Sequence, residues 1–221
     1  MRCIAHRGFA ETYPENTVAA VRGALDDTGH VEIDVRRCGS GDLVVIHDER
    51  VDRVTDESGP VADFSRAELD ALDVLDSGEG VPALEAVFEA APDAEFVLEL
   101  KESGLAADAL DLADDLDVSV TVSAFDIEVL ESAAAVGDAP LAYLVTDGEA
   151  RTGLETAAAL DCAAIHPHWT ACVDEFVAEA HERDLQVNAW TVPSRRDASA
   201  LEYVGVDGLI VDRPEVVSER E

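Results

Sequence analysis

Positive charge is what this chain has least of. Fifteen Lys and Arg residues stand against 49 Asp and Glu, for a formal net charge of -34 over 221 residues. A nucleic-acid-binding surface must neutralise phosphates with cations, so that class is excluded. Cysteine is sparse as well. Cys3, Cys38, Cys162 and Cys172 form no Cys-x-x-Cys pair, which removes the zinc and dithiol signatures and leaves them as small buried apolar residues. No apolar run approaches the roughly 18 residues of a membrane span. No basic-then-apolar leader precedes the first strand segment, so a cytoplasmic protein without a membrane span is expected. Nor does a Gly-rich phosphate fingerprint follow that first segment, which weighs against a dinucleotide-binding open sheet. Composition specifies no oligomeric state.

What is present suffices for a core. The hydrophobic share is 48%, which excludes disorder, and 221 residues suit one domain. The acid excess matches a high-salt interior, where ions screen the self-repulsion. Strand segments at 2–6, 31–36, 95–101, 118–123, 141–145, 163–166, 186–191 and 208–212 alternate with helical windows at 15–26, 82–90, 105–116, 126–136, 148–160, 172–183 and 195–203. Eight strands, nearly all followed by a helix, predict an α/β chain folded as a (β/α)8 TIM barrel, with a doubly wound open sheet as the rival. Gly39-Ser40-Gly41-Asp42 after the second strand predicts a hairpin delivering residues 43–46. The polar stretch 49–80, with Ser65 and Glu68 spaced as a capping box, is expected as a small insertion over the barrel mouth with too few apolar residues for its own core.

The chemistry-bearing residues fall at strand ends, where barrels of this type keep their active sites. Glu32 and Asp34 alternate with Val31, Ile33 and Val35, so both carboxylates share one strand face. Glu99 sits likewise among Val97, Leu98 and Leu100. A carboxylate in a buried strand is costly unless paired or metal-bound, so these three are candidate ligands for a hard divalent cation, Mg2+ or Ca2+. His6 and His47 each end an apolar run, and imidazoles titrate near neutral pH, which makes them the candidate acid and base. Asp48 is placed to orient one ring. Arg7 and Lys101 are candidate phosphate clamps, since cations are rare here and an anionic small-molecule phosphodiester needs them. Trp190 is read either as an apolar wall for an alcohol group or as a core residue. His166 and His168, in His-Pro-His-Trp, read as mouth-lining or structural.

In order and spacing, His6-Arg7-Gly8, Pro14-Glu15-Asn16-Thr17, Glu32-Ile33-Asp34, His47-Asp48, Val81-Pro82-Ala83-Leu84-Glu85, Glu99-Leu100-Lys101, Trp190-Thr191-Val192 and the closing Gly205-Val206-Asp207-Gly208 resemble the glycerophosphodiester phosphodiesterases over nearly the whole chain. The resemblance implies a TIM barrel and a divalent-metal hydrolase of glycerophosphodiesters. It implies that Glu32, Asp34 and Glu99 hold the metal, that His6 and His47 serve as acid and base, and that Glu15 and Asn16 support the mouth. It also implies attack by the substrate's own glycerol hydroxyl, giving a cyclic phosphate that water then opens.

Overall fold

The β-branched runs of the sequence become the staves of a barrel. The computed structural model describes residues 1–217. Its strands are β1 (Arg2–His6), β2 (His30–Arg37), β3 (Leu43–Val45), β4 (Glu95–Leu100), β5 (Ser119–Ala124), β6 (Leu141–Val145), β7 (Ala164–Pro167), β8 (Gln186–Ala189) and β9 (Gly208–Val211). Its α-helices are α1 (Val18–Ala24), α2 (Arg66–Asp70), α3 (Leu84–Ala90), α4 (Ala106–Asp115), α5 (Ile127–Val136), α6 (Ala150–Ala159), α7 (Asp174–His181) and α8 (Arg195–Val204). Every strand but β3 runs parallel to its neighbours, and β1 pairs with both β2 and β9. That last pairing closes the ring and removes the open-sheet rival. β3 folds back antiparallel on the end of β2, with Val45 opposite Val35, as the glycine turn predicts.

Among the described residues, four of the eight α-helices, α1, α2, α5 and α8, start at a short polar side chain that caps them. Asp126 accepts the Glu128 N–H at the head of α5, and Ser194 accepts that of Asp197 at α8. The Ser65–Glu68 capping box forms at α2. Several predicted helices are shorter than expected, the first most of all. The window 15–26 contracts to α1, because Asn16 takes a left-handed φ of 59° and Thr17 caps the helix by accepting from Ala20. That conformation frees the Asn16 side chain for the site described below.

Alternation along the strands divides the core in two. Ile33, Val35, Phe96, Leu98, Val122, Ile165, Val187 and Leu209 are buried in the main cluster under the helices. Their neighbours in sequence face the barrel axis, where Ile4, Val97 and Ile210 form a small apolar plug with Trp190 against it. A third cluster holds the insertion. Val51, Val54, Val61, Leu69 and Val74 close over Cys38, Val44, Ile46 and Val81, so the stretch buries its apolar residues only by sharing surface with the hairpin.

Candidate active site

After β1 the chain turns sharply. Arg7 and Gly8 have φ of 50° and 76°, and a Cβ on Gly8 would lie 2.7 Å from that of Ala20. Only glycine fits so close to α1 in that conformation. The turn aims the Arg7 backbone N–H at Glu32 Oε2, 3.0 Å away, and its guanidinium at Asp34 (3.1 Å) and Glu15 (2.9 Å).

Glu32, Asp34 and Glu99 come together as the alternation argument requires. β2 and β4 are adjacent with Asp34 level with Glu99, and one oxygen from each of the three acids lies within 4.8 Å of the others. Asp34 is fully enclosed. It meets Lys101 Nζ at 2.8 Å, the Arg7 guanidinium, and the Asn16 amide, which donates at 2.7 Å. Burial pushes its pKa up, but the Lys101 and Arg7 charges outweigh that and hold it far below the usual carboxylate range. Lys101, the only lysine in the chain, bridges Asp34 and Glu99. Glu32 fares differently. Burial, followed by the nearby Asp34 charge, pushes its pKa up to about 8. Its Oε2 takes the Arg7 N–H, while Oε1 is buried with no partner among the described residues. An all-oxygen cluster with one orphaned buried carboxylate oxygen fits a hard divalent cation, which would supply the missing charge.

The two imidazoles are set up alike. His6 Nδ1 lies 2.6 Å from Asp212 and its Nε2 lies 3.9 Å from Glu32. Burial lowers the His6 pKa, but the Asp212 hydrogen bond and the Glu32 charge more than reverse this and set it above the ordinary value. His47 Nδ1 lies 2.6 Å from Asp48. Asp48 in turn accepts from Arg53 Nε at 2.6 Å, and hydrogen bonds from His47 and Arg53 outweigh its desolvation and hold its pKa near 2. Arg53 also donates twice to Glu15, at 2.7 and 2.8 Å. Each ring thus spends Nδ1 on a carboxylate and has Nε2 left for chemistry.

One cavity of about 120 Å3 is lined by both imidazoles together with Glu32, Glu99, Arg7, Lys101 and Trp190. Asp34 lies behind it. Glu15, Asn16 and Asp48 lie outside it, each bonded to a residue that lines it or, for Asn16, to Asp34. Trp190 faces Phe125 and His168 edge-on, with ring centroids 5.5 and 5.3 Å away, and donates its indole N–H to the His166 carbonyl. A wider groove lies beside the barrel between α1, α2 and α3, and none of the candidate residues lines it.

Sequence reasoning missed Asp212, Arg53, Phe125 and Ser123. Asp212 was within reach of the strand-end rule, since it directly follows β9. Arg53 carried no local signal, because its partner Glu15 is 38 residues away. His166 and His168 part company: His168 sits at the rim with Thr170 at 2.7 Å, and His166 is enclosed in the barrel. Burial, then the charge of Arg2, pushes the His166 pKa down to about 3. Between pH 6.5 and about 3 the unfolded chain binds a proton that the folded one refuses, so stability falls on acidification through that window. The loss attributable to this ring is about 2–3 kcal/mol by pH 4.5. Urea unfolding at pH 7.5 and 4.5 tests it: His166→Gln should lose less stability on acidification than the parent, and equal losses would contradict the burial argument.

The model of the glycerophosphoryl diester phosphodiesterase family matches residues 6–216. A glycerophosphodiester phosphodiesterase of Caldanaerobacter subterraneus is 30% identical over 97% of this chain and 95% of its own length. Among solved structures, a putative glycerophosphoryl diester phosphodiesterase from Silicibacter pomeroyi superposes with a TM-score of 0.89 at 25% identity, covering 98% of this chain and 91% of that one. An Oleispira antarctica phosphodiesterase, in complex with the product sn-glycerol-3-phosphate, superposes with a TM-score of 0.88 at 28% identity, covering 97% of this chain and 94% of that one. With its closed barrel and a family match running from His6 to Val216, the chain belongs to the glycerophosphoryl diester phosphodiesterase family.

Proposed function

We propose that the chain hydrolyses a glycerophosphodiester to sn-glycerol 3-phosphate and an alcohol, with Glu32, Asp34 and Glu99 holding Mg2+ or Ca2+ and with His6 and His47 as acid and base. The observation that carries this reading is the shared cavity. Two carboxylate-paired imidazoles, an acid cluster short of positive charge and the pair Arg7 and Lys101 all open on one small space. The activity named for the Caldanaerobacter relative and the product held by the Oleispira structure support the same substrate class.

The chain's own groups account for the proton traffic. One imidazole Nε2 takes the proton of the attacking glycerol hydroxyl and the other gives a proton to the leaving alkoxide; the two rings then exchange roles as water opens the cyclic phosphate to glycerol 3-phosphate. Asp212 and Asp48, on the two Nδ1 atoms, keep the rings oriented. Arg7 and Lys101 draw the phosphate into an otherwise anionic molecule and offset charge that develops on its oxygens. Trp190 and Phe125 give the alcohol an apolar wall. When bound, a divalent cation would polarise the phosphate and help to align the attacking hydroxyl.

No helix among the described residues is long and apolar enough to cross a membrane. All four cysteines are free thiols, which supports placement in the reducing cytoplasm. The test is product analysis on glycerophosphocholine with and without chelator. Glycerol 3-phosphate and choline should form, chelation should abolish turnover, and Mg2+ or Ca2+ should restore it. Phosphocholine as the product, or full turnover in excess chelator, would reject the reading.

A further inference from the structure

Three of the buried polar atoms without a partner among the described residues lie away from the acid cluster: Ser123 Oγ, His166 Nδ1 and Asn188 Oδ1, and the first two belong to residues that line the catalytic cavity. Ser123 Oγ on β5 and His166 Nδ1 on β7 make no hydrogen bond among the described residues, and each residue is 1% exposed. Both side chains line the catalytic cavity, with Leu144 of β6 beside them. A polar group that gives up water without gaining a partner is costly, and native structures keep such groups sparingly. Two in the wall of one cavity mark a place where a ligand supplies the partner.

The state of the His166 ring follows from its neighbours. The Asn188 amide nitrogen is 2.9 Å from His166 Nε2 and can only donate, so Nε2 accepts and the ring proton sits on Nδ1. Asn188 Oδ1 faces Gly208, where a Cβ would come within 2.4 Å, so glycine leaves room for this side chain. In this arrangement Asn188 selects the tautomer. The cavity wall thus carries an N–H from β7 and, from β5, a hydroxyl that can donate or accept. Burial keeps this imidazole uncharged at neutral pH, so it adds no pull on an anion and no proton to the reaction. A neutral donor and a neutral hydroxyl in the wall of one small cavity suit an alcohol group. A phosphate is better served by Arg7 and Lys101, and a quaternary ammonium has no hydrogen to share.

We propose that Ser123 and His166 form a hydroxyl-reading pair that recognises the terminal hydroxyl of the substrate's glycerol unit and sets specificity for glycerol over smaller diols. This rests on the glycerophosphodiester reading above. Ser123 Oγ and His166 Nδ1–H bind the hydroxyl that is not attached to phosphate and does not attack it. A substrate lacking that hydroxyl leaves two enclosed polar groups unpaired and is discriminated against.

The experiment compares glycerophosphoethanolamine with the analogue in which propane-1,2-diol replaces glycerol, so that only the terminal hydroxyl is lost. The wild-type enzyme should favour the glycerol diester in kcat/KM by roughly 10- to 100-fold. Ser123→Ala, and independently His166→Gln, should shrink that ratio to within a few fold of one. A wild-type ratio near one would overturn the proposal with no variant needed, and would mean that only water meets these groups. Variants that slow both substrates equally would show a purely structural role and also overturn it. If the wild type releases no glycerol 3-phosphate from the glycerol diester, the underlying functional reading fails instead, and the two failures are told apart by product analysis alone.

Discussion

Replacing His47 by Ala is expected to lower kcat on the order of 10²–10⁴-fold while leaving the fold and metal affinity intact. The side chain is 36% exposed and, among the described residues, hydrogen-bonds only to Asp48, so little packing is lost. His6→Ala should cost a similar factor in rate, although that ring is more enclosed, with a side chain 18% exposed. The two variants separate on leaving-group chemistry. A diester of glycerol with p-nitrophenol releases an anion that needs no proton. The variant lacking the general acid should therefore recover most of its rate on that substrate, and the variant lacking the base should not. Steady-state kinetics on the natural and nitrophenyl diesters provide the check. Full turnover by His47→Ala on a poor leaving group would remove His47 from the reaction.

The second large effect concerns Asp34, and it is on stability as well as activity. Asp34 is the shared anion of Lys101, Arg7 and Asn16, with 0% exposure. Asp34→Ala leaves two enclosed cations without it, at a cost of about 3–5 kcal/mol. At roughly 2–4 °C per kcal/mol for a chain of this size, Tm should fall by on the order of 10 °C. Glu32→Gln should behave in the opposite way. Burial and the Asp34 charge push the Glu32 pKa up to about 8, so without a metal folding must protonate it at neutral pH, and its Oε1 has no partner among the described residues. An amide of the same shape removes that cost and should hold or raise Tm in chelator, yet abolish Mg2+ and Ca2+ binding by calorimetric titration. Thermal unfolding of both variants in excess chelator decides this. An Asp34→Ala protein as stable as the parent, or a Glu32→Gln protein that loses as much, would show that the charge accounting is wrong.

Much of this molecule was legible in one dimension because its determinants are local. Period-two alternation around Glu32, Asp34 and Glu99 marked each carboxylate as inward-facing on a strand. Glycines around Ser40 marked the hairpin, and Ser65 with Glu68 marked a cap. His6 and His47 stood out because each ends an apolar run. The contacts that give these residues their states were not legible in this way. Asp212 reaches His6 across 206 positions of sequence, and Arg53 joins Glu15 to Asp48 from within a polar loop that has no periodicity. The extent of α1 was misjudged for the same reason, since Asn16 leaves the helical region for a partner 18 residues away.

Residue type and spacing alone determined the eight-stave architecture and the set of acids, imidazoles and cations available for chemistry, because alternation and strand-end position are properties of neighbouring residues. The pairing of strands around the closed ring decided the rest: which carboxylate is neutralised by Lys101 and Arg7, which is left short of charge, that Asp212 takes Nδ1 of His6, and that Ser123 and His166 line the same cavity as the catalytic candidates. Those outcomes depend on Coulomb and hydrogen-bond partners a few ångströms apart in space, and no pattern along the chain encodes such distances.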